Sequence, residues 1–166
     1  MDKIPSFQKD HDKLMPGLYM SVAANGIATF DLRFKKPNGG DYIAQPALHS
    51  IEHMLATVLR NGAHKEDIVY FGPMGCRTGF YLLTEHLGYR EVLALLQEAL
   101  SACLQLDSVP GSEKSECGNY LEHDLEGAKR ECAAYLALLN ALSAKEESAT
   151  CSNWAADGTR RLPPCS

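Results

Sequence analysis

No run of about 18 consecutive apolar residues occurs anywhere in the chain, which argues against a membrane-spanning helix. The first residues, Met-Asp-Lys-Ile-Pro-Ser-Phe-Gln-Lys-Asp-His, carry no apolar signal core, so the expected location is the cytoplasm. Basic clusters interleaved with aromatics are also missing. Sixteen Lys and Arg stand against 21 Asp and Glu, a formal charge of −5 that makes a phosphate backbone a poor partner. Internal repeats are absent. What remains is an ordinary soluble composition, 45% hydrophobic and 22% charged, over 166 residues, enough for one domain with a self-sufficient core. The expected division is a single domain over 1–142 and a flexible tail over 143–166, rich in Ser, Ala, Gly, Pro and charge.

Six cysteines, at 76, 103, 117, 132, 151 and 165, would suggest a disulfide framework in a secreted chain. A cytoplasmic setting argues against that, and Cys103 and Cys132 fall on apolar helical stripes, where a thiol behaves as a small hydrophobe. Cys151 and Cys165 sit in the polar tail. Cys76 and Cys117 differ. Each is flanked by Gly in an irregular stretch, where packing gives no reason for a thiol.

Two β-prone runs, Leu18 to Ala23 and Ile27 to Phe34, flank Asn25-Gly26 and predict a hairpin. In the second run Ala28, Phe30, Leu32 and Phe34 alternate with Thr29, Asp31 and Arg33, so Arg33 belongs to the face opposite the core, where a solvated arginine and a functional one are equally open readings. Lys35 to Asp41 reads as a loop, and Pro46 suits the first turn of a helix that Asn61-Gly62 ends. Strands at about Asp67–Phe71 and Phe80–Thr84 enclose a glycine-bearing turn that places Cys76 at a sheet edge, where it could meet a substrate. Helical spacing predicts two long helices, about Arg90–Leu106 and a run from Leu121 to Leu142. Together these elements predict an α+β domain in which an antiparallel sheet carries three helices on one face.

Chemistry concentrates in residues 47–60, Ala-Leu-His-Ser-Ile-Glu-His-Met-Leu-Ala-Thr-Val-Leu-Arg. On a helix, positions i, i+3 and i+4 share one stripe, so His49, Glu52 and His53 point the same way. Two imidazoles one turn apart can share an ion, and the carboxylate between them can reach whatever that ion binds without ligating it. Cys117, in a turn ahead of the last helix, has a thiolate that the helix dipole would favour. His49, His53 and Cys117 make a three-ligand set, the number a catalytic site uses when its fourth position stays open. Two imidazoles and a thiolate suit Zn²⁺ or Fe²⁺ and exclude Mg²⁺ or Ca²⁺. A structural zinc site would want a fourth protein ligand, and His64, His86 and His123 have no spacing that singles one out. His-x-x-Glu-His alone also supports an inverted zinc peptidase, but such an enzyme would use an acidic third ligand and a longer chain. A non-enzymatic metal-binding module is the third reading, favoured only if Cys76 is remote from the metal.

His-Ser-Ile-Glu-His at 49–53, Pro-Met-Gly-Cys-Arg-Thr-Gly-Phe-Tyr at 73–81, Cys-Gly at 117–118 and His-Asp-Leu-Glu-Gly-Ala-Lys at 123–129 resemble S-ribosylhomocysteine lyase, the LuxS family of autoinducer-2 synthases. The similarity extends through Ser6-Phe7, His11 and Phe30-Asp31-Leu32-Arg33-Phe34 and covers roughly residues 5–140. It implies the fold of that family, like that of processing peptidases, and cleavage of S-ribosylhomocysteine to homocysteine and 4,5-dihydroxy-2,3-pentanedione. It further implies a divalent metal, natively Fe²⁺ with Zn²⁺ or Co²⁺ as substitutes, on His49, His53 and Cys117, with Glu52 and Cys76 as the acid–base pair. Ser6, His11 and Arg33 match substrate-contacting positions, and the family is homodimeric with active sites at the subunit interface. Two departures stand out: Tyr70, six positions before the cysteine, where the family often has an acidic residue, and the long C-terminal tail.

Overall fold

A computed structural model describes residues 10–22 and 25–156, the backbone alone at 22 and 145–156. Ser6 therefore lies outside the described residues. Strands β1 (Gly17–Val22), β2 (Ala28–Arg33), β3 (Ile68–Pro73) and β4 (Gly79–Thr84) form one antiparallel sheet in the order β1-β2-β4-β3. Helices α1 (Gln45–Asn61), α2 (Tyr89–Cys103) and α3 (Leu125–Ala156) pack against it, so the α+β expectation holds. No helix is long and apolar enough to cross a membrane among the described residues.

The sheet's inner face follows from the alternation of β2. Phe30 and Leu32 are fully buried with Phe80 and Leu82 of β4, and Ile51, Met54 and Leu55 of α1 close over them. Phe34 stacks on Tyr135 of α3 at a centroid distance of 3.9 Å, a contact worth about 0.5–1.5 kcal/mol beyond its area. The Tyr135 hydroxyl then donates to the Gly17 carbonyl, tying α3 to the edge strand β1.

Several boundaries differ from the sequence reading for identifiable reasons. The predicted hairpin is present, with Val22 paired to Ala28, so the strands end and start one residue outside the expected Ala23 and Ile27, and Gly26 is at φ +84°. The last helix begins at Leu125, not Leu121, because Asp124 caps it: its carboxylate accepts the Gly127 N–H at 2.8 Å. Leu121 is left 79% exposed in the preceding turn. At its other end, α3 runs past Leu142 to Ala156. The stretch 143–156 holds Ala, Glu and Lys and neither Gly nor Pro, so good helix formers carry the helix on after the apolar stripe ends. Of the expected tail, 157–166, with Gly158, Pro163 and Pro164, lie beyond the described residues.

Of its two readings, Arg33 does not take the solvated one. It does stand on the sheet face opposite the core, yet it is buried with Asp31, Nη2 to carboxylate 3.5 Å. Its cross-strand partner is Gly79, where a Cβ would run into the backbone carbonyl of Leu32.

Candidate metal and acid–base site

The i, i+3, i+4 stripe of α1 lies at the boundary between core and surface. Ile51, Met54 and Leu55 are buried on one side of the helix, while His49, Glu52 and His53 are half-buried. The connection from α2 to α3 wraps back over this stripe. Gly111, at φ +66°, turns the chain so that the Pro110 carbonyl lies 3.0 Å from His53 Nδ1. The Glu122 carbonyl takes the Nδ1 hydrogen of His49 at 2.9 Å. Both rings therefore have Nδ1 engaged and the Nε2 lone pair free, the second-shell arrangement of a metal-ligating histidine.

The same connection delivers Cys117. Its Sγ lies 3.5 Å from His49 Nε2, about the separation expected of thiolate and imidazole on one tetrahedral ion with bonds of about 2.3 and 2.0–2.1 Å. The rings of His49 and His53 stand nearly perpendicular, 84°, with centroids 4.8 Å apart, close to the ~5 Å that two Nε2-bound imidazoles require. The three side chains thus fit one N₂S-bound divalent ion. Cys117 does not stand at the helix N-terminus, since α3 starts only at Leu125; the Asn119 N–H lies 3.4 Å from its Sγ. His123 belongs to this group as well. Donor atoms of His49, His53, Cys117 and His123 all lie within 4.8 Å of one another. Sequence spacing did not single out His123, and its only signal was a place in His-Asp-Leu-Glu-Gly-Ala-Lys. The other two candidates stay apart, His64 and His86 both flanking Asp67.

Cys76 occupies a different pocket. It sits in the β3–β4 turn, exposed, next to Arg77, whose φ of +58° is uncommon for a non-glycine residue. The Thr78 hydroxyl, 3.0 Å from Sγ, accepts from Arg33 Nη1 at 2.8 Å, so its own hydrogen is free to go to the sulfur. Arg33 Nη1 also approaches Sγ, at 3.9 Å. Partial burial pushes the thiol up, but hydrogen bonds from the Thr78 hydroxyl and backbone, with the charge of Arg33, outweigh it and leave the pKa below the ordinary thiol value. Thr78 and Asp31, which holds Arg33, escaped the sequence reading; an alternate-position hydroxyl two residues after Cys76 was the available signal. Arg33→Gln should move the pH midpoint of Cys76 alkylation upward, since a lost cation destabilises thiolate and lowers its fraction at neutral pH. Mass spectrometry of the Cys76 peptide reads this, and an unmoved midpoint in the folded variant would refute the role given to Arg33.

His11 lines the Cys76 cavity of about 350 Å³ with Asn38, Tyr42, Arg77 and Thr78. Glu52 lines another, of about 240 Å³, with Gln45, His49, Pro73, Asn119 and Glu122. The two share no lining residue among those described. The loop between them is pinned by Lys35, which bridges Asp41 and Glu131 at 3.0 Å each. Burial disfavours the lysine's charge, but these carboxylates more than offset it and raise its pKa. Tyr70, on edge strand β3 beside a bulge, is 47% exposed and covers Gly72.

Comparison with known proteins agrees with this geometry. The family model described as S-Ribosylhomocysteinase (LuxS) matches residues 4–147. An S-ribosylhomocysteine lyase of Borreliella afzelii is 45% identical over 155 residues, 89% of this chain and 98% of its own. One from Phocaeicola vulgatus is 46% identical over 143 residues, covering 82% and 89%. One from Porphyromonas gingivalis is 43% identical over 143 residues, covering 82% and 90%. With similarity of this extent running through every segment that builds the two cavities, the chain belongs to the S-ribosylhomocysteinase (LuxS) family.

Proposed function

We propose that this chain is a carbon–sulfur lyase that converts S-ribosylhomocysteine to homocysteine and 4,5-dihydroxy-2,3-pentanedione, the autoinducer-2 precursor. The observation that carries the reading is the convergence of His49, His53 and Cys117 beside Glu52, in a family whose relatives bear that enzyme's name. Breaking a ribosyl thioether requires a carbanion adjacent to the carbon that bears sulfur, and hence a carbonyl moved along the sugar by successive proton transfers. A divalent ion, Fe²⁺ natively and Zn²⁺ or Co²⁺ in its place, supplies Lewis acidity to the sugar oxygens when bound. Moving the protons falls to the protein. Glu52, beside the ligands without being one, takes and returns protons at one face of the sugar, and the Cys76 thiolate does so at the other. Arg33 and Thr78 hold that thiolate ready, and His11, lining its cavity, fits a substrate contact; Ser6 is proposed as another on family resemblance alone.

Glu52 and Cys76 lining separate cavities within one chain supports a homodimer in which each active site takes Glu52 and the metal from one subunit and Cys76 from the other. Exposed apolar Val69 and Tyr70 on edge strand β3 give such a contact apolar surface to bury. An inverted peptidase has no use for a primed thiol, so that reading falls behind.

The experiment is thiol release from S-ribosylhomocysteine. Wild type should turn over, whereas Glu52→Gln and Cys76→Ala homodimers should not. Subunits of the two variants, mixed equally, should recover about a quarter of the wild-type rate, half of the dimers being mixed and one of their two sites intact. Mixtures that stay inactive would refute the shared site, and a wild type that releases no thiol would refute the lyase.

A further inference from the structure

Four side chains face one another at the start of α1, but they are not equivalent. His123 Nδ1 lies 3.2 Å from the Ser50 hydroxyl. That hydroxyl has one hydrogen, donated to the Pro46 carbonyl at 2.8 Å, and it already accepts from the Asp124 N–H at 2.8 Å. Nδ1 must therefore be the donor to Ser50, which leaves Nε2 as an unprotonated acceptor. Nε2 is buried and meets no hydrogen-bond donor among the described residues. A buried acceptor without a donor is uncommon enough to require a cause.

Ligation of the ion is not that cause. His49 and His123 stack with centroids 4.1 Å apart and planes within 22°. Two imidazoles bound through Nε2 to one tetrahedral ion would stand about 5 Å apart, farther than these two rings do. His53 is steeply inclined to both, at 84° and 75°. The Cys117 sulfur lies against His49 Nε2, so His49, His53 and Cys117 form the ligand set. His123 lies one ring layer away, with a ring nitrogen still within 4.8 Å of the other three donor atoms.

We infer that His123 Nε2 accepts a hydrogen bond from the hydroxyl that occupies the ion's open position, water at rest and a sugar hydroxyl during turnover. The inference rests on the metal reading of this site. It assigns the site a preference: ligands that bring an O–H are held by both ion and imidazole, while anions that offer only lone pairs meet the lone pair of Nε2. His123 would thus select a polyol over an inorganic anion.

The test uses the full-length protein loaded with Co²⁺, whose visible bands report the ligand sphere, with azide as an acceptor-only probe. His123→Phe keeps a flat ring on His49 but removes the acceptor. It should bind one Co²⁺ per chain with affinity close to wild type and bind azide roughly three- to tenfold tighter, with kcat/KM for S-ribosylhomocysteine roughly tenfold lower, the scale of one hydrogen bond. A hundredfold loss of cobalt affinity would make His123 a ligand and overturn the inference. Unchanged azide affinity and unchanged kcat/KM would reduce it to a packing partner. Wild-type protein needs no variant for a second reading: loaded with ¹¹³Cd and labelled with ¹⁵N-histidine, it should show two metal-coupled imidazoles, and three would overturn the proposal. A wild type that binds neither metal refutes the metal reading itself, an outcome separate from those two.

Discussion

Cys117→Ala is expected to fold and to lose its metal. Sγ of Cys117 touches His49 Nε2 and the Asn119 N–H in a connecting loop, so its removal disturbs little besides the ion. Two imidazoles would remain where three donors stood. Since loss of an outer-sphere partner alone costs about 10–100-fold in metal affinity, loss of the only thiolate should cost more than 100-fold. Cys103→Ala gives the contrast. That thiol is fully buried among core side chains, and desolvation pushes its pKa up to about 12, so it is a packing group. Its removal should lower stability by roughly 1–2 kcal/mol and leave the metal in place. Metal content after desalting, beside thermal melts of both variants, checks this. Retention of a full complement of metal by Cys117→Ala would end the ligand assignment.

Glu52→Gln and Cys76→Ala should do the opposite, keeping the metal and losing turnover by roughly 10²–10⁴-fold. Glutamine matches glutamate in size but cannot take a proton, and Glu52 lies next to His49 in its cavity without belonging to the four-donor group. Cys76 is further from the ion's ligands, and the loss of its thiol leaves Thr78 and Arg33 in place. Solvent exchange separates the two roles. The carbonyl must migrate before the bond to sulfur can break, so wild type in D₂O should deliver product with deuterium on sugar carbons. Each variant should stall with only part of that exchange. Near wild-type turnover by metal-replete Cys76→Ala would remove the thiol from the mechanism.

Local patterns were easiest to read from the sequence. The alternation of Phe30, Leu32 and Phe34 and the i, i+3, i+4 spacing of His49, Glu52 and His53 each express a single element's geometry, and both appear in the structure as expected. Tertiary pairings were not legible. His123 reaches His49 only because the α2–α3 connection folds back over α1, and no periodicity encodes a loop's path. Arg33 was placed on the correct face, with its environment left open. Alternation tells which side of a sheet a residue takes, whereas the partners of Arg33, Asp31 and Thr78, are tertiary. Composition gave no helix signal at 143–156, where the apolar stripe has ended although nothing in the stretch breaks a helix.

The sorting of thiols has a consequence for how this protein would be damaged. Burial raises the pKa of Cys103 and Cys132 far above neutrality, while Cys76 is exposed and held toward thiolate. Peroxide reacts with thiolates, the sulfur taking an OH group from H₂O₂ to give a sulfenic acid while hydroxide leaves, so the Cys76 sulfur should be attacked before the core cysteines. In zinc-loaded protein, where the ion cannot itself be oxidised, a brief peroxide pulse should silence the enzyme while the zinc stays bound. A thiol reductant should restore it, until further oxidation to sulfinic acid makes the loss permanent. Inactivation that leaves the mass of the Cys76 peptide unchanged would place the vulnerable group elsewhere. The feature that readies this sulfur for proton transfer is also the one that would make the enzyme sensitive to oxidative stress.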